Sequence, residues 1–139
     1  MKKILIAFIA VLLLVSISFA QAPQTIGQVL VFEWEQATED LGGLSGWVLY
    51  ESNVSGSGYV KALDIPYVAG SGPTFTSEGT ILFSGVKGST VTKYFVLTAK
   101  SNDPAVAESD YSNEASASIV IPFGKPSSPF TFKVNIKVR

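Results

Sequence analysis

The chain contains no cysteine and no histidine among its 139 residues. Without cysteine it has no disulfide, no thiolate metal ligand and no thiol nucleophile. Without histidine it lacks the commonest general base and the commonest zinc ligand. Only 15% of the residues are charged and 47% are hydrophobic, so the fold must depend on apolar packing. No catalytic, cofactor-binding or metal-binding residue can be named, and we expect a non-enzymatic protein without a cofactor.

The first 20 residues have the pattern of a secretory signal peptide. Met1-Lys2-Lys3 is basic, residues 4–15 carry no charge, and Ser18-Phe19-Ala20 is a small-x-small cleavage site. The alternative is a retained anchor, but the apolar run is near the short end for a span of about 20 residues. We therefore expect cleavage after residue 20, no retained membrane span, and a secreted, periplasmic or cell-surface protein of bacterial or phage-like type.

Charge is distributed unevenly along the remaining chain. Residues 21–122 hold four lysines and 11 acids, a net charge of −7, whereas residues 123–139 hold four basic residues and no acid. A nucleic-acid-binding domain needs a basic face, so the acidic body argues against nucleic acid as a partner.

Short stretches with alternating apolar and polar residues recur from residue 29 onwards, separated by residues typical of turns. In the first of them, Leu30, Phe32 and Trp34 share one side of a half-buried strand. The predicted strands are 29–35, 47–50, 59–68, 80–84, 90–100 and 113–121. Outside the signal peptide no stretch has a convincing helical period. This pattern predicts a β-sandwich or barrel.

The C-terminal end has a different organisation. Residues 123–129 form a linker by composition, rich in proline, glycine and serine, and residues 130–139 then alternate without a break. An isolated strand is not stable in water, so this one must pair with a sheet edge. Its predicted strand-addition side chains, all on one face, are Phe130, Phe132, Val134, Ile136 and Val138.

Four motifs occur in a recognisable order and spacing: Leu30-x-Phe32-x-Trp34, Gly46-Trp47-Val48-Leu49-Tyr50, Ala99, and Ser112-Asn113-Glu114-Ala115. Over residues 28–121 this arrangement resembles the fibronectin type III family. The resemblance implies an all-β, immunoglobulin-like, two-sheet antiparallel sandwich over residues 21–122. It also implies an interaction or spacing module that binds through loops at one end or through a sheet edge.

Two features depart from the family pattern. The family expects a tyrosine packed over a corner near the start of the sixth strand. Counting back from Ala99 puts it at Lys93, yet the chain has Tyr94, so either a bulge shifts the register or the corner is absent. The family's first strand is also nearly missing. The tail strand resembles it and has two interpretations. It is the start of a lost second domain, or it fills the open edge, either within its own chain or in a neighbouring subunit.

The candidate interaction residues lie in two acidic loops, 36–46 and 101–112, and are Glu39, Asp40, Asp103, Glu108 and Asp110. Calcium binding by the last three is an alternative, but their spacing matches no known calcium loop, so no metal ligand is predicted. Trp34 and Trp47 are candidate sugar platforms, but alternation favours core packing for both.

The expected function is that of a secreted or cell-surface interaction module that binds a protein or polymer. One alternative is a self-assembling surface or appendage subunit that uses its C-terminal strand for strand addition. The other is a carbohydrate-binding module, which would need an exposed aromatic side chain.

Overall fold

The computed structural model describes residues 21–124 and 132–137. The predicted signal peptide (1–20), residues 125–129 of the predicted linker, and the predicted strand-addition residues Phe130 and Val138 lie outside this range.

Almost all regular structure in the described part of the chain is β-strand. The predicted strands 29–35 and 80–84 each begin earlier than expected, because the stretch before each one pairs with the other strand: residues 24–28 lie opposite residues 81–85, and residues 74–79 lie opposite residues 30–35. Local alternation could not reveal this pairing, since the ladder hydrogen bonds do not depend on side-chain type. The elements are β1 (Gln24–Glu35), a 3-10 helix (Thr38–Gly43), β2 (Leu44–Ser52), β3 (Val60–Pro66), β4 (Thr74–Gly85), β5 (Thr90–Ser101), β6 (Ala115–Val120) and β7 (Phe132–Lys137).

The strands form two sheets packed face to face. One has the order β4-β1-β7 and the other the order β3-β2-β5-β6. The prediction of an all-β, immunoglobulin-like sandwich is confirmed. One pair differs from the expected antiparallel arrangement, because β7 runs parallel to β1. The reason is the direction of the strands. β1 and β5 both run toward the end of the sandwich where β1 ends, and β6, antiparallel to β5, runs away from that end. The chain then returns toward it, so β7 runs in the same direction as β1.

The core lies between the two sheets and is centred on a cluster of aromatic side chains. Trp34 and Trp47 are each 1% exposed, with ring centroids 5.0 Å apart. Phe75 stacks on Trp34 at 6.0 Å, and Phe32 meets Phe95 edge-to-face at 5.2 Å. The core position predicted for both tryptophans is confirmed. Burial of such large apolar side chains is the main stabilising term in a domain that has no disulfide.

The register of β5 is now settled. Phe95 and Leu97 are fully buried in the core, and Lys93 lies on the same face, 8% exposed. The Lys93 Nζ lies 2.8 Å from Glu51 Oε1 on the neighbouring strand. An ion pair therefore occupies the position where the resemblance predicted a tyrosine, and Tyr94 belongs to the opposite face of the strand.

The C-terminal strand completes the core along the free side of β1. Val134 lies opposite Phe32 and Ile136 opposite Trp34, and these two β7 side chains are 4% and 2% exposed. On the outer face, Lys133 Nζ lies 2.6 Å from Glu33 Oε2. The tail thus fills the open edge within its own chain.

The end of β7 is also hydrogen-bonded to Asn113, which lies just before β6 of the opposite sheet. Asn113 Oδ1 accepts a hydrogen bond from the Lys137 backbone N–H at 2.5 Å. The Asn113 backbone N–H donates to the Lys137 carbonyl at 3.2 Å. The asparagine of the Ser-Asn-Glu-Ala motif therefore links β7 in one sheet to the start of β6 in the other.

Candidate interaction surface

The two loops predicted to carry interaction residues lie at the same end of the sandwich. The first follows β1 and contains the 3-10 helix, and the second follows β5. The Asn102 backbone N–H donates to the Gly43 carbonyl at 2.9 Å and joins the loops directly. The loops are brought together because β1 and β5, in different sheets, both run toward this end.

Four carboxylates form what we call the acidic end: Glu39, Asp40, Asp103 and Asp110. All four residues are exposed. Asp40 accepts a hydrogen bond from Gln36 Nε2 at 3.2 Å, and Asp103 accepts from the Ala105 N–H at 2.9 Å. No ion pair between described residues involves any of the four. The acidic end therefore presents negative charge to solvent.

The loop after β5 is held against the sheet by serine hydroxyls. The Leu97 N–H donates to Ser112 Oγ at 2.9 Å, and the Ala99 N–H donates to Ser109 Oγ at 2.8 Å. In return, the Ser112 and Ser109 backbone N–H groups donate to the carbonyls of Leu97 and Ala99 at 2.9 and 3.0 Å. These hydrogen bonds satisfy the strand edge and keep the loop ordered.

Three tyrosines from separate parts of the chain form a cluster beside this loop. The ring of Tyr111 lies 5.4 Å from that of Tyr50 and 5.2 Å from that of Tyr59. Tyr111 is 47% exposed and forms the solvent-facing part of the cluster. Sequence reasoning did not group these residues, because nothing local connects positions more than 50 residues apart.

Glu108, the fifth predicted interaction residue, is the polar anchor of this cluster. Its Oε2 accepts hydrogen bonds from Thr98 Oγ1 at 2.6 Å and from the Tyr50 hydroxyl at 2.8 Å. These bonds favour the carboxylate, and they hold the pKa of Glu108 below its ordinary value. Burial, together with the neighbouring Glu108 carboxylate, raises the pKa of Tyr50 to about 12. Glu108 thus fixes the loop against β2 and β5.

The raised pKa of Tyr50 predicts a loss of stability in alkali. A folded-state pKa above the ordinary 10.0 means that the neutral phenol is favoured by folding, so its contribution is present below pH 10 and is lost as the pH rises toward 12. Absorbance of tyrosinate at alkaline pH should show a component near pH 12 that Tyr50→Phe removes and Tyr94→Phe keeps. A Tyr50→Phe titration identical to that of the unmodified protein would contradict this assignment.

Glu114 anchors the turn between β2 and β3. It accepts hydrogen bonds from Ser55 Oγ at 2.6 Å, from the Gly56 N–H at 2.7 Å and from the Tyr59 hydroxyl. The bonds from Ser55, Tyr59 and Gly56 lower the pKa of Glu114. The Glu of the Ser-Asn-Glu-Ala motif therefore holds together segments 55 or more residues apart.

Replacement of Glu114 by alanine should loosen this turn. Three donors lose their acceptor, and because the site is partly exposed we expect a loss of about 1 kcal/mol in the free energy of unfolding. The Gly56 amide should exchange its hydrogen faster, which NMR can measure residue by residue. Asp110→Ala, on the neighbouring loop, serves as the matched carboxylate control and should leave the Gly56 amide unchanged. Unaltered exchange in Glu114→Ala would show that the turn is held by other contacts.

The remaining sequence candidates take ordinary structural positions. No group of three or more carboxylates within the described ranges could hold a metal ion, so the calcium alternative gains no support there. Burial of both tryptophans removes them as sugar platforms, and Tyr111 is left as an exposed ring.

Comparison of the chain with family models, curated proteins and solved structures finds no match. No helix within the described residues is long and apolar enough to cross a membrane.

Proposed function

We propose that this chain is an exported, non-enzymatic interaction module of the fibronectin type III type, which binds a cationic protein or polymer at its acidic end. The observation that carries the proposal is the joining of two acidic loops through the Asn102–Gly43 hydrogen bond. Loops held by a rigid β-scaffold are a common place for binding, since they are exposed while their ends are fixed.

The charge of the surface supports a cationic partner. Glu39, Asp40, Asp103 and Asp110 carry no ion pair with a described residue, while Lys61 and Lys100 both pair with Asp64. A cluster of carboxylates without neutralising lysines attracts a positively charged partner and raises its rate of association.

The order of the loop after β5 and its exposed aromatic ring also support binding by this loop. The serine hydrogen bonds and the Glu108 anchor hold the loop after β5 before any partner arrives, which lowers the entropy lost on binding. Tyr111 follows Asp110 in this loop and exposes nearly half of its surface. Tyrosine is enriched at protein interfaces, where its ring packs and its hydroxyl forms hydrogen bonds.

The test compares two variants with the same change in net charge. Asp103→Asn alters the acidic end, whereas Glu78→Gln alters the outer face of the other sheet, where Glu78 lies opposite Val31. Each biotinylated protein is incubated with the native extracytoplasmic fraction, and the retained material is quantified. We expect the acidic-end variant to retain at least about fivefold less, equivalent to roughly 1 kcal/mol, and the control to match the unmodified protein.

Equal retention by both variants would place the binding surface elsewhere. Tyr111→Ala tests the aromatic contribution separately, and it should weaken retention without changing the net charge. High salt should lower the amount of material that the unmodified protein retains, because salt screens the attraction between exposed charges.

A further inference from the structure

The place beside β1 is occupied by β7, and every contact that holds β7 could come equally from another molecule. We propose that β7 is exchanged between copies, so that residues 132–137 of one chain complete the three-stranded sheet of a second copy. This inference concerns assembly and stands independently of binding at the acidic end.

The groove that β7 fills requires an apolar strand. Val134 lies opposite Phe32 and Ile136 opposite Trp34, and both β7 side chains are almost fully buried. Without an occupant, the backbone edge of β1 and this side of the core would be exposed to water. An open, apolar sheet edge is a site for strand addition. The chain itself supplies a strand with the matching pattern.

The contacts at both ends of the strand are independent of which copy supplies it. The Lys133–Glu33 ion pair lies at one end, and the two Asn113–Lys137 hydrogen bonds lie at the other. An exchanged strand would form the same parallel pairing with β1, the same Lys133–Glu33 ion pair and the same hydrogen bonds to Asn113. The cis and trans forms therefore differ only in the connection between β6 and β7.

That connection has to change sheet and direction. Ile121, just after β6, lies at the end of the sandwich away from the acidic loops. There its N–H donates to the Ser89 carbonyl at 2.8 Å, and its carbonyl accepts from the Gly88 N–H at 2.6 Å. From there the chain must return alongside β1 in the other sheet. The intervening sequence includes Pro126 and Pro129, and proline limits the conformations that a connecting segment can adopt. Short hinges under such restriction favour exchange between copies.

Concentration decides which form dominates. A short linker keeps the chain's own strand at an effective concentration in the millimolar range. Exchange should therefore appear when the protein folds at comparable concentration, as at a crowded site of assembly.

The absence of cysteine allows a direct test on the full mature chain. Val31 on β1 and Lys133 on β7 are directly opposite each other. Val31→Cys and Lys133→Cys are made as separate single variants carrying tags of different size. The two are mixed, refolded together at about 1 mM or at about 10 µM, and analysed on non-reducing gels for a mixed disulfide dimer. Strand exchange places these two cysteines, which belong to different molecules, directly opposite each other, whereas collision between folded monomers gives only a background of mixed dimer.

The matched control replaces Val31→Cys with Thr76→Cys. Thr76 is also exposed on the same sheet, but it lies on β4, opposite Glu33 and on the other side of β1 from β7. At the higher concentration, we expect the Val31/Lys133 mixture to give at least about tenfold more mixed dimer than the Thr76/Lys133 mixture, and at the lower concentration no excess.

Two results would overturn the exchange. One is a mixed-dimer yield equal to that of the control at the higher concentration, when the double variant Val31→Cys/Lys133→Cys forms its disulfide within one chain. The other is a monomeric mass, measured by light scattering, for the unmodified chain refolded at that concentration. A dimer or a longer chain of exchanged copies would support it.

Discussion

Deletion of residues 130–139 should lower the free energy of unfolding by at least about 4 kcal/mol, because it removes two buried aliphatic side chains and one strand of the sandwich. Val134 and Ile136 are 4% and 2% exposed, and they lie opposite Phe32 and Trp34 on the side of β1 that faces away from β4. Small domains are stable by only about 5–15 kcal/mol. The truncated chain should therefore be marginally folded or unfolded.

Urea denaturation followed by tryptophan fluorescence measures this effect, since Trp34 lies next to β7. The matched control keeps the strand and changes only its outer face, with Lys133→Ser and Asn135→Ser. Exposed positions of this kind usually change stability by less than about 1 kcal/mol, even when an ion pair such as Lys133–Glu33 is lost. If the truncated chain were as stable as this control, β7 would not be part of the core.

Gly46→Ala should cost about 3 kcal/mol or more, the largest effect expected from adding one carbon atom. A Cβ at this position would lie 2.2 Å from the Ile65 carbonyl oxygen and 3.1 Å from the Pro66 Cα. Both are backbone atoms of the paired strand β3, so relief of the contact requires movement of the strand itself. The φ angle of +157° adds strain for any residue with a side chain.

Gly43→Ala is the matched control for that substitution. It lies three residues earlier, a Cβ there meets nothing within 4 Å, and its φ is not positive. We expect it to keep the unfolding midpoint of the unmodified protein, whereas Gly46→Ala should unfold at clearly lower urea concentration. Equal midpoints would show that β3 can move away from residue 46 without loss of stability, so the close approach of the two strands would not contribute to the free energy of unfolding.

The sequence predicted those parts of the fold that depend on local pattern. Alternation placed Trp34 and Trp47 in the core, and it identified the C-terminal residues as a strand that needs a partner. It could not choose between the two faces of β5, because both are apolar. The burial of Phe95 and Leu97 on the same face as Lys93 resolves that choice, and the partly buried pair of Lys93 with Glu51 joins residues 42 positions apart. The tail's parallel pairing with β1 was likewise beyond the sequence, since either direction satisfies alternation.

For the candidate surface, the sequence alone determined that acidic residues occupy two loops, that no cysteine or histidine is available, and that apolar residues alternate along the strands. These properties are local or compositional. Only the tertiary structure decided that the two loops share one end, that Glu108 anchors its loop through Thr98 and Tyr50, and that three tyrosines cluster beside it. The physical reason is that these contacts join residues from different strands, and their geometry is set by the sheet registers and by core packing. The Ser-Asn-Glu-Ala motif shows the difference: its residues are evident in the sequence, but their bonds to β5, β7 and the turn before β3 exist only once the sandwich has formed.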